Sequence, residues 1–152
     1  MKTFLLTILS LFSLFLSSAQ IQQIKEPIYL LNTLMSCPSE EEMKDLCNYY
    51  GFTENPNEDD FFSYSHPNGT TILFKMEGNG IYRKGSPSIE IRTNKSKEEV
   101  KKILSDIGYS KQGPKYIRGS KHAVSYKECR FINRQNPGTT AIACYVIPKQ
   151  DN

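Results

Sequence analysis

The stretch SEEEMKDLCNYYGFT at residues 39–53 and the stretch SKEEVKKILSDIGYS at residues 96–110 lie 57 positions apart, and they constrain this chain more than anything else in it. Met43, Leu46, Cys47 and Tyr50 recur at i, i+3, i+4 and i+7 in the first, and Val100, Ile103, Leu104 and Ile107 do so in the second. Each stretch therefore reads as a helix with one apolar stripe. Both open with S-x-x-E, Ser39 with Glu42 and Ser96 with Glu99, the capping box that satisfies the free amides of a first helical turn. Both close with Gly and then an aromatic, Gly51 with Phe52 and Gly108 with Tyr109, as a left-handed cap with an apolar contact behind it requires.

The segments that follow correspond as well. After the first helix come FFSYS, the turn HPNG, the strand TTILFKM, the loop EGNGIYRKGSP and the alternating strand SIEIRT. After the second come KYIRGS, the strand HAVSYKECRFI, the turn region NRQNPG and TTAIACYVI. The expectation is an α+β fold: a tandem duplication of a helix-plus-three-strand unit, residues 37–93 and 94–148, in one compact domain. A unit of about 55 residues with one helix buries too little to stand alone and leaves open sheet edges. The two units are therefore expected to share one antiparallel sheet with both helices on one face. Residues 20–36 form an N-terminal segment in which Ile28, Leu31, Leu34 and Met35 suggest a short added helix.

Residues 1–19 carry Lys2, an apolar run from Phe4 to Leu16 and then Ser17, Ser18 and Ala19, the layout of a secretory signal cleaved near Ala19–Gln20. The run is too short and too interrupted to span a bilayer, which needs about 20 apolar residues. No other segment could do so, and a secreted or periplasmic product is expected. Tandem helix-and-strand units behind an export signal are similar in layout to secreted inhibitor proteins of the β-lactamase-inhibitor type; no motif residue carries the likeness, and it implies no target.

Export makes disulfides the expected state of the four cysteines, Cys37, Cys47, Cys129 and Cys144, whose spacings match no metal-ligand pattern. Cys129 and Cys144 flank a turn and can face each other across a hairpin. Cys37 with Cys47 is awkward, because a helix beginning at Ser39 carries Cys47 roughly 12 Å from its start. Three arrangements stay open: the chain before the helix folds back along it, the bridges run between segments, or Cys47 is a buried thiol.

Catalytic and cofactor motifs are missing, and neither a metal nor a cofactor is expected. His66 and His122 are the only histidines. A small secreted hydrolase would have to use one of them with nearby carboxylates, which is the alternative reading. The acidic run ENPNEDD lacks the alternating ligands and central Gly of a calcium loop and reads as a solvated loop.

The leading reading is a non-enzymatic binding or inhibitor-like module for a protein or an anionic polymer, of unknown oligomeric state. Residues 38–93 hold 5 basic and 10 acidic side chains, and residues 94–152 hold 12 and 5. Such opposite signs either draw the halves together or give the second half a basic face. Lys111, Lys115, Arg118, Lys121, Lys127, Arg130 and Arg134 would form that face, with Tyr109, Tyr116 and Tyr126 interleaved. Tyr82, Arg83 and Lys84, on a glycine-flanked loop, are the other candidate contacts.

Overall fold

A computed structural model describes residues 26–77, 86–119, 123–133 and 137–149. The signal segment lies outside them. A 3-10 turn, Pro27–Leu30, runs into the short helix α1, Leu31–Leu34. Helix α2, Glu40–Tyr49, follows, and then the strands β1 Thr53–Glu58, β2 Phe61–Ser65, β3 Thr71–Glu77 and β4 Ser86–Thr93. Helix α3, Lys97–Asp106, precedes β5 Ser110–Gln112, β6 Lys115–Arg118, β7 Ser125–Ile132 and β8 Thr140–Pro148.

Both long helices start and stop as their sequences require. The Ser39 and Ser96 side chains accept from the amides of Glu42 and Glu99, and at Ser96 the reciprocal bond to the Glu99 carboxylate completes the box. Gly51 and Gly108 sit at φ 81° and 90°, a region glycine tolerates without strain. The next amides reach back, Phe52 to the Cys47 carbonyl and Tyr109 to that of Leu104, as in a Schellman cap.

The eight strands form one antiparallel sheet in the order β1-β2-β3-β4-β8-β7-β6-β5, so each long helix leads into a four-stranded meander and the meanders meet along β4 and β8. Four strands, rather than three, follow each helix. The two missed strands, TENPNE and SKQ, are polar edge strands without apolar alternation. ENPNEDD is accordingly no loop: residues through Glu58 pair with β2, and Asp59 and Asp60 turn the hairpin at positive φ of 49° and 64°.

One face of the sheet carries the core. Phe62 and Tyr64, Ile72 and Phe74, Ile89 and Ile91, Ile142 and Cys144, and Cys129 project to the side on which the helices lie. They form one cluster with Met43, Cys47, Val100, Ile103, Leu104 and the N-terminal Ile28, Leu31 and Leu34. Leu73, Ala141 and Ala143 are buried outside that cluster, on the opposite face. Cys129 and Cys144 are cross-strand partners on β7 and β8 and form a disulfide, while Cys37 and Cys47 are free thiols, Cys47 being buried. No helix of the described residues is long and apolar enough to cross a membrane.

The core sets the response to alkali. Burial pushes the Cys47 thiol up to about 12 and raises the Tyr109 phenol; burial and then the Glu54 carboxylate push Tyr64 up to about 12. The unfolded chain ionises these groups from about pH 8.5 for Cys and about pH 10 for Tyr. Above those values it therefore binds fewer protons than the native state, and stability falls with pH. Lys127 acts in the opposite sense: burial, then Arg118, lowers it to about 8, so the unfolded chain binds the extra proton up to about pH 10.4 and stability gains. Thermal unfolding is expected to change little between about pH 8 and 9.5, where Lys127 opposes the two raised thiols, Cys37 and Cys47, and then to drop steeply above about pH 10 as the two phenols join them. In Lys127→Met the decline should begin near pH 8.5, and an unchanged profile in that variant would contradict the assignment.

Candidate functional site

Side chains alternate across a strand, so Glu90 and Arg92 on β4 share a face, as do Glu128 and Arg130 on β7. All four lie on the face away from the helices. Cα partners run along one row of that face as Leu73, Glu90, Ala143, Arg130 and Lys115, with Tyr145 and Glu128 in the next.

The carboxylates on this face are nearly enclosed: Glu128 is 1 % exposed and Glu90 7 %. A desolvated carboxylate needs close cationic partners. Glu128 accepts from Lys115 Nζ at 3.1 Å and Arg130 Nε at 2.6 Å. Glu90 accepts from Arg92 Nε at 2.7 Å, and the other end of that guanidinium donates to both Glu58 oxygens at 2.9 and 2.6 Å. Arg92 thus ties the β1–β2 hairpin to the middle of the sheet with fork-to-fork geometry. Between these groups lies a hollow of about 370 Å³ floored by Leu73, Glu90 and Ala143 and walled by Phe61, Arg92, Ile132 and Tyr145.

A second, larger cavity of about 550 Å³ lies at the end of the sheet where β6 and β8 finish and β7 begins, beside the α1–α2 connection. Arg118 and Lys127, cross-strand partners on β6 and β7, line it with Ser36, Cys37, Tyr126 and Val146. Lys127 Nζ donates to the Asn32 carbonyl at 2.9 Å and Ser36 Oγ at 2.8 Å. The Cys37 thiol is raised by its own burial and by Glu42, against the pull of Lys127. Gly119 allows the strands to close here: a Cβ at that position would sit 2.8 Å from the Tyr126 Cβ. Gly119→Ala is expected to cost about 1–3 kcal/mol by overpacking, measurable by denaturant unfolding; no loss would mean that β6 and β7 separate freely at this point.

The basic residues are therefore not brought onto one face. Lys115 and Arg130 meet on the open face around Glu128, whereas Arg118 and Lys127 face the helix side. Tyr109 and Tyr116 belong to the core rather than to a contact surface, and Tyr126 alone of the three lines a cavity. Tyr82, Arg83, Lys84, Lys121, His122 and Arg134 lie outside the described residues. His66 is engaged in its turn, where Nδ1 accepts from the Asn68 amide at 3.2 Å and the ring packs on Phe52 with centroids 5.0 Å apart. Among the described residues no three His, Cys, Asp or Glu side chains gather in a way that could hold a metal ion. Nor do opposite charges pair along the β4–β8 register among the described residues, whose partners are Ser88 with Tyr145, Ile89 with Cys144, Glu90 with Ala143, Ile91 with Ile142, Arg92 with Ala141 and Thr93 with Thr140.

No family model matches the chain, no curated protein does, and no solved structure does.

Proposed function

We propose that the protein is an exported, non-enzymatic binding module that receives a protein partner on the helix-free face of its sheet. One observation carries the reading: Lys115, Arg130 and Arg92 on that face are already paired with enclosed carboxylates and Lys75 lies over the Phe61 ring, while apolar and aromatic groups rim the hollow between them. A polyanion site needs uncompensated charge, and Lys115, Arg130 and Arg92 offer little. A protein interface wants the reverse, fixed and pre-paired charges beside aromatic and apolar anchors. The size is also suitable. Seven strand spacings of about 4.8 Å and strands averaging about six residues give a face on the order of 700 Å², near the roughly 800 Å² each partner contributes to an ordinary interface.

Export is supported by the layout of residues 1–19 and by the Cys129–Cys144 disulfide. Duplication of one helix-and-meander unit is supported by the strand order and by the backbone bonds of the caps, which repeat at an offset of 57. In the sheet, the row Phe62, Phe74, Ile89 of the first meander has its counterpart in Tyr116, Cys129, Cys144 of the second. On the open face, Leu73, Phe61 and Lys75 then occupy the positions that Glu128, Lys115 and Arg130 occupy in the second meander. This divergence gives the two ends of one face different chemistry.

The test is capture from culture supernatant and envelope fractions at low and high salt with the wild-type protein and Ala143→Arg, which raises a long cation from the floor of the hollow. One partner retained at high salt by the wild type and lost by the variant is the expected result. Broad capture that salt removes from both proteins equally would instead favour the polyanion reading.

A further inference from the structure

The end cavity has features the open face lacks. Among the described residues the Arg118 guanidinium makes no hydrogen bond or ion pair, and Lys127 is held by a carbonyl and a hydroxyl rather than by a carboxylate. Two cations are thus brought together across one strand pair, and the desolvated one is destabilised by its neighbour. Like charges held side by side without a counter-charge cost stability, and an anion between them relieves that cost. The third Lys127 N–H and the Arg118 fork remain available to such an anion.

We propose that this cavity is a binding site for a small organic anion, its carboxylate or phosphate head held by Arg118 and Lys127 and its apolar body lying against Met35, Pro38 and Val146. The volume of about 550 Å³ suits a molecule larger than an inorganic ion. The site lies at the sheet's end, beneath the α1–α2 connection, and does not depend on the protein-binding role of the open face. It joins that connection, through Ser36 and Cys37, to the ends of β6 and β8, so an occupant would tie elements of the two halves together.

The anion favours protonated Lys127, so binding takes up a proton where the free site has lost it. Affinity therefore falls as pH rises through about 8. The charged or titratable groups facing Lys127 are Arg118 on β6 and the Cys37 thiol after α1, the latter raised first by its burial.

Amide chemical-shift titrations of the protein with inorganic phosphate, phenyl phosphate and benzoate, at constant ionic strength, test the proposal. Saturable shifts at Ser36, Cys37, Gly119 and Tyr126 are expected with phenyl phosphate or benzoate, the tighter of the two identifying the preferred head group, and weaker ones with phosphate. Arg118→Gln removes a side chain that makes no internal bond, so the fold should persist while affinity drops about tenfold or more. Lys111→Gln, an exposed cation on β5, should leave affinity unchanged. Shifts that never saturate, or that both variants alter equally, would reduce the effect to surface screening and overturn the site. Phosphate binding as tightly as phenyl phosphate would overturn the organic body.

Discussion

Phe74→Ala is expected to remove about 3–5 kcal/mol of stability, more than any other single truncation in the sheet. Phe74 is fully buried on β3, with Cα partners Phe62 on β2 and Ile89 on β4. Its ring stacks on Tyr64 with centroids 5.8 Å apart and lies 5.7 Å from Phe62. The space it vacates is bounded by strands on both sides and by helices above, which cannot close in, so the cavity cost adds to the lost transfer energy. The neighbouring Leu73 is the informative comparison. It is 2 % exposed, almost as enclosed by area, but it sits on the helix-free face and outside the core cluster. The side chains around it can settle toward solvent, and Leu73→Ala should cost about 2 kcal/mol or less. Denaturant unfolding of both variants decides the matter: equal losses would mean that both faces are packed cores and that no open face exists.

Loss of the Cys129–Cys144 bridge is expected to cost about 3 kcal/mol, or about 10 °C in Tm, for a loop of this length. The two cysteines are 15 residues apart in sequence, and their Cα atoms are 4.1 Å apart. They occupy the close, non-hydrogen-bonded type of antiparallel pair, where a bridge adds constraint without breaking the ladder. The connection it closes is the β7–β8 hairpin, and β8 is also the strand on which the first meander pairs. Unfolding of Cys129→Ala/Cys144→Ala should therefore remain a single transition at lower temperature, and alkylation of the unreduced, denatured wild type should find two thiols, Cys37 and Cys47. An unchanged Tm, or four reactive thiols, would contradict the assignment.

The helices were legible because three signals agreed at each: period, capping box and Gly-aromatic stop. Six strands were legible because their residues are apolar or alternate. TENPNE and SKQ were not, because an edge strand needs only backbone partners on one side, and Pro56 within the first argued against a strand. The candidate site was legible only in part. Lys115 and Arg118 are an odd number of residues apart, as are Lys127 and Arg130, so period-2 counting already places them on opposite faces. The enclosed carboxylates left a fainter trace: Glu90-Ile91-Arg92 and Glu128-Cys129-Arg130 repeat E-x-R on a strand, which puts an acid and a base side by side on one face. That Glu128 is enclosed and Glu90 reaches Glu58 through Arg92 depends on strands far away in sequence, and no local pattern encodes it.

Among the described residues the register of the seam pairs no acid of one half with a base of the other. Arg92 satisfies Glu58 and Glu90 within the first half, and Lys115 and Arg130 satisfy Glu128 within the second. The halves are joined instead by the β4–β8 ladder and the apolar layer above it, which leaves the other face of the ladder available to a partner.

The measurement that bears most directly on that conclusion is hydroxyl-radical footprinting of the protein alone and in its captured complex, since it reports side chains rather than strands. Phe61, Ile132 and Tyr145 line the open hollow, whereas Tyr29 and Tyr49 are exposed on the helical elements, 45 % and 52 % accessible. The account requires the first three to lose reactivity in the complex while Tyr29 and Tyr49 keep theirs. Protection of Tyr29 and Tyr49 with Phe61, Ile132 and Tyr145 unchanged would place the partner on the helices and contradict it.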